Sequence, residues 1–142
     1  MLKPPEAGEA LLESPFKGKT GLVRVLHAFF NSLAGLADAW RCESAFRQEV
    51  ILAAIMIPIA LWVPVAPVER ALLLAVVLLV LVVELLNSSV EAAIDRISFD
   101  HHSLSRRAKD IGSAAVFVSL ALCVSVWAVI LWPAYQLAGS MR

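Results

Sequence analysis

The chain has 142 residues, 60% of them hydrophobic and 17% charged, with a mean hydropathy of +0.79. Soluble domains carry about 45–50% apolar and about 25% charged residues, so both shifts exclude an ordinary water-soluble globule. Twelve Lys and Arg balance twelve Asp and Glu, which leaves no basic excess to hold a phosphate backbone, and nucleic acid is not an expected partner.

Residues 1–20, MLKPPEAGEALLESPFKGKT, mix Pro, Gly, Lys and Glu without periodicity and lack the apolar core of a signal peptide. They read as a flexible extension. Gly18-Lys19-Thr20 resembles the end of a Walker A loop, but Glu13 stands where that motif requires its first glycine and no strand precedes it, so no nucleotide loop is read there. From 22 to about 40 the pattern turns helical. Arg24, His27, Asn31, Gly35 and Asp38 share an arc of about 80° with Leu, Val, Phe and Trp around the rest, which predicts an amphipathic helix lying in the membrane interface, packed on other helices, or both.

Three apolar stretches follow. Residues 50–66 carry no charge, close to the minimum of about 17 residues for a membrane helix, and Pro58 within them is tolerated with a bend because a bilayer leaves the backbone little alternative. Residues 71–83 are wholly apolar and their helical pattern runs on through Glu84 to Val90. Residues 112–132 are uncharged, with Trp127 and Trp132 near one end, where indoles favour the interface. The spans are expected at about 47–66, 70–95 and 110–133 within one domain, 21–142. The four residues from Pro67 to Arg70 are read as the link between the first two spans, which makes these an antiparallel hairpin. Lys3, Lys17, Lys19, Arg24, Arg41 and Arg47 precede the first span, Arg70 alone lies in the first loop, four cations follow the second span, and Arg142 ends the chain. The positive-inside bias then puts the N-terminus and the second loop in the cytosol and the C-terminus outside. Cys42 is cytosolic and Cys123 mid-bilayer in this arrangement, so they cannot pair. The expected fold class is all-α: an integral membrane protein with three transmembrane helices and an N-terminal amphipathic surface helix.

At about 100° per residue, Glu84, Asn87, Ser88, Glu91 and Asp95 fall on one arc of the second span, a stripe that climbs about 16 Å from the acyl region to the cytosol. A carboxylate at the depth of Glu84 is costly to insert and reads as functional, the bland alternative being a protonated, hydrogen-bonded structural acid. Asn87 serves either as interhelical glue or as part of the site, and Glu91 and Asp95 as ligands or as a solvated face. The second loop brings His101, His102, Arg106, Arg107, Lys109 and Asp110 close to this stripe. Acids able to hold Mg²⁺ beside cations able to neutralise phosphate oxygens are the parts phosphoryl transfer needs, although loop basicity is also what topology alone demands. Adjacent histidines lack the i, i+4 spacing of two ligands on one helical face, so no metal site is read from them. Glu43 and Glu49, just before the first span, supply further ligands or are simply hydrated.

The run Glu84-Leu85-Leu86-Asn87-Ser88-Ser89-Val90-Glu91-Ala92-Ala93-Ile94-Asp95-Arg96 resembles the E-x-x-N-(S/T)-x-x-E-x-x-x-D signature of the prokaryotic membrane diacylglycerol kinases. Arg107-Ala108-Lys109-Asp110-Ile111-Gly112-Ser113-Ala114-Ala115-Val116 is similar to a second block of that family, and Glu43-Ser44-Ala45-Phe46-Arg47-Gln48-Glu49 to a third. The resemblance covers about 24–132, with the blocks in family order and spacing. It implies a homotrimer in the bacterial cytoplasmic membrane that phosphorylates the hydroxyl of a membrane lipid with MgATP. It implies Glu84 as catalytic base and Glu43 and Glu91 as Mg²⁺ ligands that also face the nucleotide. By the same resemblance Lys109, Asp110, Asp100, His101, His102 and Arg24 are nucleotide contacts, and Glu49, Asn87, Asp95 and Ser113 line the site. Asn31 stands near the nucleotide where some relatives carry an aromatic residue. The Gly112-Ser113-Ala114-Ala115 run and the Glu43 block look more like the diacylglycerol branch than the undecaprenol branch of the family. A small proton-coupled transporter would share the intramembrane Glu but has no use for Lys109-Asp110, and a structural subunit would bury Glu84 and Asn87 as interhelical hydrogen bonds.

Overall fold

The computed structural model describes residues 21–97 and 103–140, and these form four helices: α1, Leu22–Cys42; α2, Ser44–Trp62; α3, Pro67–Ile97; and α4, Ser103–Ser140. The chain divides within α1 into two units, Met1–Ala37 and Asp38–Arg142. In the first unit α1 opens after Gly21, the one described residue pair of its turn being Gly21 O accepting from Arg24 N at 3.1 Å. Gly21 holds φ +73°, a left-handed conformation that favours glycine.

In the second unit three stretches, Ser44–Trp62, Pro67–Arg96 and Ser103–Pro133, are long and apolar enough to cross a membrane. The three expected spans are therefore present, and α3 is the middle one, packing against both α2 and α4. Lipid tails are as apolar as Leu, so membrane helices associate through close packing rather than through escape from water. Ala53 and Ala60, seven residues apart on α2, are both buried and bring a smooth stripe into the core beside Leu73, Val76, Val77 and Val80 of α3. The opposite faces carry Ile51, Ile55, Leu78, Val82, Phe117 and Val124, all exposed. An outward apolar surface is the normal state of a chain whose solvent is hydrocarbon.

The hairpin link differs from the expectation. It is 63–66, and Pro67 to Arg70 is the first turn of α3. Pro64 drives the residue before it out of helical geometry, and Val63 is extended at φ −64°, ψ 139°. Pro67 loses nothing by lacking an N–H at the first helical position. Glu69 reaches back to accept a hydrogen bond from the Ala66 N–H at 2.8 Å, half of a capping box. Arg70 then donates to the Val63 carbonyl at 3.1 Å, closing the link onto α3. Pro58 sits inside α2, which continues through it to Trp62.

Trp127 also differs. It lies in the core rather than at an interface, and its indole N–H donates to the Leu73 carbonyl of α3 at 3.2 Å. A buried indole N–H needs a partner, and in hydrocarbon a backbone carbonyl on the neighbouring helix is a ready one. Trp132 is exposed, as an interfacial indole would be. Cys42 is exposed and Cys123 buried, both as free thiols.

Candidate active site

The polar arc of α3 faces into the protein. Glu84 is only 4% exposed, and Asn87, Ser88, Glu91 and Asp95 are half-buried, whereas Leu86, Ser89, Val90, Ala92 and Ala93 on the other side of the same turns are exposed. α3 buries apolar residues along its first half and turns the polar arc inward along its second, where exposing it to hydrocarbon would be costly.

Charged groups from the start of α2 and from α4 flank the arc. Glu84 lies within electrostatic range of Glu43 and Glu91, and Glu49 within range of Glu84. From α4, Lys109 donates to Asp95 at 2.5 Å and feels Glu91 as well. Asn87 donates through Nδ2 to Glu91 Oε1 at 3.1 Å. Three segments far apart in sequence thus meet along the polar arc of α3, with acids near Glu84 and an ammonium beside Asp95 at the other end.

Glu43 is placed by the break between two helices. It is the single residue between α1 and α2, with φ −103° and ψ 115°, and its side chain makes no capping hydrogen bond to α2. Arg47, one turn later, donates to the carbonyls of Trp40 and Arg41 at 3.0 and 3.1 Å. These are end carbonyls of α1 that have no helical partner of their own, so Arg47 caps α1 from α2 and fixes the corner that presents Glu43.

Oxygen is in surplus over donors here. Glu49 Oε2 and Asn87 Oδ1 are buried without a hydrogen-bond partner. Among the described residues no three His, Cys, Asp or Glu side chains converge as a ready-made metal cage. Mg²⁺ does not ask for one, since it is usually held by one or two carboxylates together with substrate phosphates and water. An all-oxygen, donor-poor cluster that includes Glu43 and Glu91 fits that hard cation.

The remaining candidates are less gathered. Asp110 is exposed and pairs loosely with Arg106 across one helical turn at 3.8 Å, and Ser113 is exposed on α4. Arg24 and Asn31 belong to the first unit, where both are exposed on α1. Asp100, His101 and His102 lie outside the described residues. Sequence reasoning missed Arg47 and Gly112. An Arg one turn into the helix that follows a capless helix end is a findable signal. The tight seat of Gly112 against Asn87 is not, because it depends on how α3 and α4 are brought together.

The family model for prokaryotic diacylglycerol kinase matches residues 30–131. A diacylglycerol kinase of Pseudomonas aeruginosa is 55% identical over 118 residues, covering 83% of this chain and 96% of that one. The diacylglycerol kinase of Escherichia coli K12 is 45% identical over 113 residues, covering 80% and 93%. One from Helicobacter pylori is 43% identical over 115 residues, covering 81% and 89%. A match over this much of the chain, and through the segments that surround Glu84, places it: the chain belongs to the prokaryotic diacylglycerol kinase family.

Proposed function

We propose that this protein is an ATP-dependent diacylglycerol kinase, which transfers the γ-phosphoryl group of ATP to the free lipid hydroxyl at the cytosolic face of the bacterial inner membrane and yields phosphatidic acid. The observation that carries the reading is a buried carboxylate, Glu84, at the inner end of an acid-lined path whose outer end holds Lys109, in a chain of the kinase family. We further infer a homotrimer whose N-terminal amphipathic helix lies on the cytosolic interface, with the N-terminus cytosolic and the C-terminus outside; the charge distribution along the sequence supports that orientation.

In this mechanism the acyl tails remain in the bilayer and only the hydroxyl reaches the polar arc. Glu84 accepts the hydroxyl proton as the oxygen attacks the γ-phosphorus. A bond forms between lipid oxygen and phosphorus, the bond from that phosphorus to the bridging oxygen breaks, and ADP leaves with the electron pair. Burial keeps water from competing for the phosphoryl group. Lys109 offsets charge on the phosphate oxygens, and Asp95 holds its ammonium at the rim until they arrive. Glu43 and Glu91 would hold Mg²⁺, which when bound screens the phosphates from the surrounding acids. Asn87 orients Glu91. Asp110, Ser113, Arg24, Asn31, Asp100, His101 and His102 enter the proposal through the family resemblance alone.

Purified protein in mixed micelles with Mg²⁺ and labelled ATP tests the reading. Diacylglycerol and undecaprenol are offered together, and label should accumulate in phosphatidic acid. Label in undecaprenyl phosphate alone would move the substrate to the other branch, and label in neither lipid, from protein shown to be folded and trimeric, would overturn the kinase reading.

A further inference from the structure

Gly112 lies on α4 against the amide of Asn87 on α3. A Cβ built on Gly112 would overlap Asn87 Oδ1 outright, stand 3.3 Å from Asn87 Cγ, and be in ordinary contact at 4.0 Å with Asn87 Cβ. Asn87 Oδ1 is buried there without a hydrogen-bond partner, while Nδ2 of the same rigid amide donates to Glu91 Oε1 at 3.1 Å. The reverse amide orientation would aim an acceptor at the carboxylate, so the donor has to face Glu91 and the carbonyl has to face α4. A side chain at 112 would therefore displace that carbonyl, the movable end of the Asn87 side chain, from where it now sits.

We propose that Gly112 is a positioning residue: the space its missing side chain leaves in α4 seats the Asn87 carbonyl, and the seated amide holds the Glu91 carboxylate in the orientation that binds the metal–nucleotide substrate. A group at the 112 position would push Oδ1 away, and because the amide is planar Nδ2 would turn with it and release Glu91. The role of Glu91 rests on the kinase reading above; the seat itself does not.

The test is a double-mutant cycle of Gly112→Ala and Asn87→Ala. In an open stretch of helix, Gly→Ala favours the helix, so any loss in Gly112→Ala has to come from the contact. Two measurements are made on each variant: thermal unfolding in micelles without metal or nucleotide, and the Mg²⁺ concentration for half-maximal rate at saturating ATP and lipid. We expect Gly112→Ala to melt lower than the parent and to need at least tenfold more Mg²⁺. The double variant should match Asn87→Ala alone in both measurements, because alanine at 87 leaves only an ordinary Cβ contact. Additive effects would mean that Gly112 acts on something other than Asn87 and would overturn the proposal. If Gly112→Ala alone does not fold, the double variant still should, and its failure to fold would overturn the proposal equally. Glu91→Gln separates the two levels. An unchanged Mg²⁺ requirement in Glu91→Gln removes the metal role assigned to Glu91 and with it the functional half of this inference, while a raised one in Glu91→Gln beside an unchanged one in Gly112→Ala sinks the positioning role alone.

Discussion

Glu84 sits deepest among the acids of the polar arc, about 16 Å below Asp95 by helical rise, and Glu43, Glu49 and Glu91 all lie within its electrostatic range. Glu84→Gln keeps the shape and one hydrogen-bonding oxygen but cannot take a proton. Loss of a general base costs about 10²–10⁴-fold, so initial rates of phosphatidic acid formation should fall at least about a hundredfold in a variant that stays folded and trimeric; retention of more than a tenth of the parent rate would remove Glu84 from that role. Glu43→Gln and Glu91→Gln act differently. Each withdraws one negative charge from oxygens that suit a hard cation, and the expected signature is a shifted Mg²⁺ titration with a smaller loss at saturating metal. Superimposable titrations in both variants would exclude the pair as ligands. The period of the arc was readable because helical spacing fixes which side chains share a face. That the arc points inward was readable too, through the cost of charge in hydrocarbon, whereas the seat of Asn87 against Gly112 was hidden because it depends on how α3 and α4 are brought together.

At the scale of elements, the three spans were legible from uninterrupted apolar length, and their ends were not. The hairpin link was displaced by four residues because Pro67 reads equally as a loop residue and as the first residue of a helix; the Glu two positions after it, which caps Ala66, is the feature that decides between them. Trp127 shows the opposite limit. Its position near one end of an apolar run suggested the interface, and only the packing of α4 on α3 reveals the Leu73 carbonyl that accepts its N–H. Trp127→Phe keeps most of the ring and deletes that donor, while Leu73 retains its helical partner, so the loss should fall at about 0.5–1 kcal/mol in unfolding experiments in micelles. The rate per folded molecule should stay within about twofold of the parent, since the contact is on the apolar side of Glu84. A loss of rate without a loss of stability would show that the α3–α4 contact governs the site directly.

For the whole molecule, orientation is the property that the charge distribution argues and that a single thiol can check. Cys42 is exposed near the end of α1 and Cys123 is buried among the spans. A membrane-impermeant maleimide should label Cys42 in inverted inner-membrane vesicles and leave it unlabelled in intact spheroplasts, with Cys123 unreactive in both; the reverse pattern at Cys42 would invert the topology. One consequence of the inward-facing arc concerns how the chain is made. Synthesis runs from α1 to α4, so α3 enters the membrane before Lys109 and Gly112 exist. Until then Asp95 lacks its cation and Asn87 lacks its seat, and Glu84, Asn87 and Glu91 have only α2 to shield them from lipid. The helix that carries the polar arc is therefore released to the bilayer unfinished, and the last segment to emerge is the one that supplies the cation for Asp95 and the seat for Asn87.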